Sequence, residues 1–331
     1  MEKEALSEPN SLHHRVEKTH GENFEISASN ECLMAQSLDY AIRPHSAIQV
    51  PLILRPPSSD KISMNPVLAK LTFTADDWGM SPGINSAILD MAQKGVIKRV
   101  SVLAGSPFVK HGLDELLQVK GLQFGLHFNL TLFPPLFEEQ QDAFSPFMDP
   151  ISFHYKPLWR LRLIWANPFL RKARIAAATD AFKGQLEKLR TLKVPVTYFD
   201  GHQNVHLLPG ILKAIAPELK KWGIRETIIP SSLRFIRKRQ FHSAILAARA
   251  RRIATRLGLF YQPLWRPTLR TLGSPKKLKR KVSRKTEGLA ILVHPSAAND
   301  LENYGIRDRY RIGRVREYQA LCRLLKSLSS G

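Results

Sequence analysis

The chain has 331 residues, of which 44% are apolar and 24% are charged, so it can bury the core of one large domain or of two modest ones. It contains no internal repeat and no uncharged apolar run of about 18 residues, which argues against a solenoid and against a membrane-spanning helix. The formal net charge of +22 favours an anionic partner, such as nucleic acid, lipid head groups or a negatively charged substrate.

The first 63 residues differ from the rest of the chain because they are polar and show no sustained apolar period. We expect residues 1–63 to be a poorly ordered N-terminal tail, with Met64 as an alternative start of translation. The first twenty residues lack the apolar segment of a secretory signal peptide. The two cysteines, Cys32 and Cys322, cannot form a disulfide framework, so we expect a reduced, cytoplasmic protein.

From residue 67 onwards, β-rich apolar runs alternate with helical periods. In chain order, strands are predicted at 67–74, 100–104, 122–130, 196–200, 227–230 and 288–293. Helices are predicted between Ser81 and Gly95 and at 112–119, 171–192, 208–222, 241–257 and 315–327. Residues 131–170, rich in proline and aromatics, are predicted to form loops that line a cleft. The alternation predicts an α/β architecture with a parallel sheet, most simply a barrel formed by residues 64–331.

Four of the predicted strands carry polar residues that can bind a metal or transfer a proton, either within the strand or directly after it: Asp76 and Asp77, His127, the pair His202 and His206, and His294. Because the carboxyl ends of parallel strands lie on one side of the fold, we expect these side chains to converge. Taken singly, each has a structural interpretation as a turn, a helix cap, a strand terminator or a core histidine. Their joint occurrence at four strand ends favours a shared site.

One Asp with two His is a common divalent-metal set that leaves positions open for water and substrate. A second Asp outside the ligand set can act as general base, and a further His can protonate a leaving group. This inventory of side chains predicts metal-assisted hydrolysis of an amide or an ester.

The motifs that carry these residues resemble those of the YdjC-like carbohydrate deacetylases, the chitooligosaccharide deacetylase family. Residues 74–85 (TADDWGMSPGIN) resemble the opening motif of that family, and residues 125–131 (GLHFNLT) resemble the second. Residues 200–210 (DGHQNVHLLPG) and 293–295 (VHP) resemble the third and the last. The four motifs occur in family order within residues 67 to about 325.

The resemblance implies an irregular (β/α) barrel related to polysaccharide deacetylases, with one divalent metal ion held by Asp77, His127 and His202. It implies that Asp76 is the general base that activates the hydrolytic water. It also implies that His294 is either the acid that protonates the departing amine or a group that stabilises the tetrahedral intermediate. The substrate would be an acetylated amino sugar, free or in a glycoconjugate, and acetate would be released. The resemblance adds magnesium to the metals that the donor set suits, among them zinc and manganese.

Three further motif residues are predicted to contact the substrate or to support the ligands from behind: Trp78, Asn129 and His206. Trp78 replaces the Phe that is usual in the family, and its ring is expected to stack on a sugar. Asn204 stands where the family often has His.

A strongly basic segment spans residues 227–286, which contain 17 Lys and Arg and no Asp or Glu. We expect a basic insertion into the barrel that meets an anionic carrier of the sugar or an anionic membrane surface, or else a solvated helix packed on the barrel rim. A nucleic-acid-binding protein on an α/β scaffold is an alternative, but no helix-turn-helix, zinc-finger or RNA-recognition motif is present. A non-catalytic carbohydrate-binding protein is a second alternative. It is less favoured because the chain retains all five proposed active residues, Asp76, Asp77, His127, His202 and His294. A homodimer is compatible with the sequence.

Overall fold

The computed structural model describes residues 72–133, 136, 171–230, 241–282, 290–306 and 308–329. The predicted N-terminal tail at 1–63 and most of the predicted cleft loops, at 137–170, lie outside the described residues.

Parallel strands form a closed barrel in which each strand pairs with the next along the chain and the last pairs with the first. The strands of the described part of the chain are β1 (Thr72–Trp78), β2 (Ile97–Val102), β3 (Gln123–Phe128), β4 (Val196–Gly201), β5 (Glu226–Pro230), β6 (Phe260–Trp265) and β7 (Ala290–Val293). The predicted α/β barrel is confirmed. Its parallel closure places every strand's carboxyl end at the same rim.

Helices cover the outside of the barrel: α1 (Pro82–Gln93), α2 (Leu113–Leu117), α3 (Arg171–Thr191), α4 (Ile211–Lys221), α5 (Phe241–Arg256), α6 (Leu269–Leu272), α7 (Pro275–Val282) and α8 (Arg311–Ser329). Short 3₁₀ helices occupy His202–Leu207 and Leu301–Tyr304. Among the described residues, none of these helices combines the length and the apolar character needed to cross a bilayer.

The corner between β1 and α1 forms as the sequence predicts. Ser81 is the N-cap of α1, its hydroxyl accepts a hydrogen bond from the Ile84 amide, and Pro82 occupies the first turn. Asp300, distant in sequence, accepts hydrogen bonds from the Ser81 hydroxyl at 2.8 Å and the Gly83 amide at 2.7 Å. A carboxylate at a helix N-terminus is stabilised by the helix dipole, so this contact fixes the segment after β7 against α1.

The interior of the barrel holds polar as well as apolar side chains. We call Arg99, Tyr198 and Glu226 the polar column. The Arg99 guanidinium lies 3.9 Å from the centre of the Tyr198 ring and pairs with Glu226 at 2.7 Å. The Tyr198 ring packs directly against Gly125, where a Cβ atom would lie only 2.3 Å from the ring. Through the Tyr198 hydroxyl, the polar column extends to Ser101 and from there to Asp200.

The basic segment 227–286 is not an insertion, contrary to our expectation. It supplies most of β5 and all of β6, which are barrel strands, together with α5, α6 and α7. Strand β6 was not predicted because Pro263 interrupts its apolar pattern, and proline is depleted from strands with neighbours on both sides. The helix predicted at 241–257 is confirmed as Phe241–Arg256.

Candidate active site

The polar residues at the carboxyl ends of β1 and β3, and those directly after β4 and β7, converge at the carboxyl rim of the barrel. Asp77 Oδ1 lies 3.1 Å from His127 Nε2 and 2.9 Å from His202 Nδ1. His294 Nε2 lies 3.8 Å from Asp76 Oδ2. Residues more than 200 positions apart thus share one site, because the barrel closes between β1 and β7.

An irregularity in β1 brings two successive carboxylates to this site. Side chains of a regular strand alternate between its two faces, so Asp76 and Asp77 would otherwise point apart. Between the pairs Ala75–Val100 and Trp78–Val102, β1 has one more residue than β2, as in a β-bulge. Asp77 has a φ of 70°, a left-handed conformation that is costly for a residue other than glycine. Such strain is concentrated at functional sites, where the surrounding contacts enforce it.

His202 is placed by a tight turn after β4. Gln203 and Asn204 both have positive φ, 50° and 62°, so the chain bends sharply directly after His202. At Gly201 a Cβ atom would lie 2.5 Å from His206 Nδ1, so only glycine permits the chain to pass there. The result is that the His202 ring faces Asp77 and His127.

The three atoms Asp77 Oδ1, His127 Nε2 and His202 Nδ1 have the spacing of a metal ligand set. The two imidazole nitrogens are 3.3 Å apart, and each lies within 3.1 Å of the carboxylate oxygen. With metal–ligand bonds of about 2.1 Å, neighbouring ligand atoms of an octahedral or tetrahedral site lie about 3.0–3.4 Å apart. These side chains therefore fit one divalent cation.

A second group that could hold a cation, Asp76, His127 and Asp200, fits less well. His127 Nδ1 already donates a hydrogen bond to Asp200 Oδ1 at 2.6 Å, so this nitrogen and this oxygen are engaged with each other. Asp200 thereby fixes the tautomer of His127 and directs Nε2 towards Asp77 and His202, as carboxylates do behind metal-binding histidines. Ser101 Oγ donates to Asp200 Oδ2 at 2.9 Å and lies 3.0 Å from the Tyr198 hydroxyl, so the polar column supports Asp200.

Arg314 of α8 holds the second oxygen of Asp77. Its Nη2 donates to Asp77 Oδ2 at 2.7 Å, while its Nε donates to Asp308 Oδ2 at 2.6 Å. Arg314 is 4% exposed, so this ion pair is shielded from solvent. With Oδ2 engaged by Arg314, Oδ1 is the oxygen that Asp77 offers to a cation.

Asp76 and His294 face each other beside this cluster. Asp76 is 8% exposed, and its Oδ1 is buried and accepts no hydrogen bond from any described residue. The backbone amide of His294 donates to Glu317 of α8, and His294 Nδ1 lies 3.8 Å from Glu317 Oε2. Glu317 is itself held by the Tyr310 hydroxyl at 2.6 Å and by Arg266 at 3.3 Å. An unpartnered carboxyl oxygen thus lies beside an imidazole that is fixed from behind.

The electrostatics of the site give the two aspartates opposite pKa shifts. Burial, reinforced by the Asp200 carboxylate, raises the pKa of Asp76 well above its ordinary value. Burial also works to raise the pKa of Asp77, but the Arg314 guanidinium and His202 outweigh it and hold that pKa well below the ordinary value. Burial opposes the charged form of His127, but the Asp200 and Asp76 carboxylates prevail and raise the pKa of His127. Asp77 is accordingly a carboxylate, the form that a metal binds.

The expectation that Trp78 stacks on a sugar ring is wrong. Its side chain is 0% exposed in the apolar core, and its ring nitrogen donates to the Val109 carbonyl at 2.9 Å. Trp78 follows the bulge directly and anchors the end of β1 from inside the protein.

Asn129 and His206 are also buried, at 4% and 1% exposure, and contact the scaffold. Asn129 Oδ1 accepts from the amides of Thr131 and Leu132 at 3.0 Å each, so it orders the chain after β3. His206 Nε2 lies 3.1 Å from the Ile228 carbonyl, and burial lowers the pKa of His206 to about 4, so the ring is neutral and donates to that carbonyl.

Three residues with direct contacts to the site were not predicted as site residues: Asp200, Arg314 and Glu317. Asp200 begins the third motif, so its place before His202 was a usable signal. Arg314 and Glu317 lie on one face of α8, three residues apart, in a sequence that reads as an ordinary amphipathic helix. No local signal distinguishes them from surface charges, because their partners in the site, Asp77 and His294, lie more than 200 and more than 20 positions away.

The fold and the candidate site define a (β/α)-barrel protein with a group of Asp and His residues suited to a divalent cation. The sequence model of the YdjC-like protein family matches residues 70–324. The chain therefore belongs to the YdjC-like family, and the resemblance of its motifs is confirmed.

Curated relatives match about half of the chain. It is 30% identical over 165 residues to a carbohydrate deacetylase of Mus musculus, covering 49% of this chain and 51% of that protein. It is 28% identical over 163 residues to a carbohydrate deacetylase of Homo sapiens, covering 49% and 48%, and 27% identical over 157 residues to one of Vibrio cholerae, covering 47% and 57%. The chain thus matches about half the length of these relatives.

A solved structure shares the fold. It is a protein of Enterococcus faecalis named for cellobiose-phosphate cleavage, which aligns with a TM-score of 0.58 at 17% sequence identity. The alignment covers 78% of this chain and 93% of that chain. At this identity the likeness supports the barrel fold alone.

Proposed function

We propose that this protein is a metal-dependent deacetylase that removes the N-acetyl group of an acetylated amino sugar. Membership of the YdjC-like family and the relatives named carbohydrate deacetylase support this proposal. One observation carries the proposal: the three candidate metal ligands lie beside a separate pair of side chains, the carboxyl group of Asp76 and the imidazole of His294. A site that only bound carbohydrate would have no need of both.

In this proposal Asp77, His127 and His202 hold one divalent cation. When bound, the cation would polarise the acetyl carbonyl and make a water molecule more acidic. Two imidazoles and a carboxylate suit zinc, manganese, iron or cobalt, and the family resemblance adds magnesium. Elemental analysis of protein purified without chelator identifies the metal.

The proton transfers are assigned to the two residues outside the ligand set. Asp76 takes the proton of the attacking water, since its Oδ1 is unpartnered within the described site. His294 gives a proton to the amine nitrogen as the C–N bond breaks, with Glu317 fixing the position of its backbone amide. Asp200 keeps His127 in one tautomer, and Arg314 keeps Asp77 ionised and oriented.

The test is acetate release from N-acetylglucosamine oligomers by the full chain. We expect activity that disappears with chelator and returns when a divalent metal is restored. Acetate release that persists after the metal has been removed, as verified by elemental analysis, would contradict the proposal. The cytoplasmic location and the homodimer remain predictions, to be checked by cell fractionation and light scattering.

A further inference from the structure

One face of α5 combines exposed apolar and exposed basic side chains. Phe241 and Ile245 are 60% and 66% exposed, and Arg249, Arg252 and Arg256 are exposed as well. At about 100° per residue, these five side chains lie within about 80° of one another around the helix axis. We call this set the α5 face.

The opposite side of α5 is what attaches the helix to the barrel. Its buried residues are Ser243, Ala244, Leu246, Ala247, Ala250 and Ala254. They pack towards β5 and β6, so the α5 face points away from the barrel. Within the described residues, no ion pair links Arg249, Arg252 or Arg256 to a carboxylate. No Asp or Glu occurs anywhere between residues 227 and 286.

We propose that the α5 face binds the surface of an anionic lipid bilayer. A bilayer interface accommodates both kinds of side chain, since apolar groups enter the acyl boundary while guanidinium groups meet the lipid phosphates. A second copy of the same face is disfavoured because six arginines would come together. A nucleic acid would meet the arginines but would give the exposed aliphatic Ile245 no apolar environment.

The direction of α5 relates this face to the candidate active site. Because β5 ends at Pro230 and β6 begins at Phe260, α5 runs back from the carboxyl end of the strands to their amino end. Phe241 and Ile245 therefore lie towards the rim that carries Asp77. A bilayer bound there would present substrates carried on its surface close to that rim. This last consequence rests on the proposed function, whereas membrane binding does not.

The experiment is co-sedimentation of the full chain with vesicles of phosphatidylcholine, with and without phosphatidylglycerol. We expect binding only to the anionic vesicles and weakening as salt is raised. Each basic residue near such a surface contributes about fivefold in affinity, so replacing Arg249, Arg252 and Arg256 by Gln should weaken binding about a hundredfold. Replacing Phe241 and Ile245 by Ser should weaken it roughly tenfold.

The matched control replaces Lys110, Lys120 and Lys193 by Gln, which removes the same charge from exposed positions near α2 and α3. Retained binding in this control supports the proposal. An equal loss in both triple variants, or no sedimentation with anionic vesicles, overturns it. Arginine-dependent binding to a short DNA duplex in place of vesicles overturns it as well.

Acetate release from a soluble oligomer separates the two proposals. The α5 variants should retain it, because none of their changed residues belongs to the candidate active site. If the protein releases acetate but does not bind anionic vesicles, only the membrane proposal is contradicted. A chain that binds vesicles but releases no acetate contradicts only the proposed function.

Discussion

The candidate metal ligands and the candidate proton-transfer residues differ in how completely their side chains are hydrogen-bonded. On the ligand side, Asp77 and His127 are fully paired: Arg314 and Asp200 hold the atoms that do not face the cluster. On the proton-transfer side, Asp76 Oδ1 has no hydrogen-bond partner among the described residues, and His294 Nε2 lies 3.8 Å from the other oxygen, Oδ2. The difference teaches that ligands gain from being fixed before the metal arrives, whereas a proton acceptor needs a free lone pair.

The largest expected effect separates the two sides directly. His127→Ala removes a ligand atom, so we expect loss of the metal and a fall in acetate release on the order of a thousandfold or more. Asp76→Asn removes only the proton acceptor, so the metal should remain while turnover falls by about 10²–10⁴-fold. Metal content by elemental analysis, measured beside acetate release, checks both. Equal metal retention in the two variants would show that the ligand assignment is wrong.

A large effect on stability is expected at Arg314. Arg314→Met leaves the Asp77 carboxylate buried without its cationic partner, which should lower the free energy of unfolding of the metal-free protein by about 3–5 kcal/mol. A bound divalent cation should restore part of this loss, since it supplies positive charge to the same carboxylate. Arg311→Met on the same helix is the control: Arg311 pairs with exposed Glu302, and such surface pairs contribute about 0–1 kcal/mol. Denaturant unfolding with and without metal gives both values.

A change at His206 tests whether this residue supports metal binding or only the stability of the fold. Its pKa is lowered from 6.5 to about 4 by burial, so the folded state binds fewer protons than the unfolded state between these pH values. Stability should therefore be fully present above pH 6.5 and fall by roughly 3 kcal/mol as the pH approaches 4. His206→Gln should lose this component of the pH dependence and keep its metal affinity. The exposed His111→Gln control should retain the wild-type slope; a metal defect in His206→Gln would assign that residue to the site.

The smallest expected effect concerns the support of a ligand. Asp200→Asn keeps the shape of the side chain but weakens the hydrogen bond that His127 Nδ1 donates. We expect metal affinity to fall by about 10–100-fold, with the fold intact. Ser101→Ala, one step further from the cluster, should have a weaker effect in the same direction. Titration with a competing chelator measures both, and an unchanged affinity in Asp200→Asn would remove that residue from the support of the ligands.

The elements that the sequence predicts well are those whose own residues carry the signal. Helix α1 begins where Ser81 and Pro82 indicate, and α3 and α5 match their predicted spans within a residue or two. Strand β6 was missed because a proline breaks its local pattern, while its stability comes from pairing with β5 and β7. The error about the basic segment follows from this omission.

The sequence by itself predicted the alternation of strands and helices and contained the four motifs, which follow from local periodicity and from residue types within short windows of the chain. The candidate ligands were implied by the family resemblance of those motifs. Only the tertiary structure decided that Asp77 turns by a bulge to meet His127 and His202, that Trp78 is buried, and that Arg314 and Glu317 of α8 support the two sides of the site. Such contacts join residues far apart in the chain, and a buried charge acquires its role only when folding brings its partner to it.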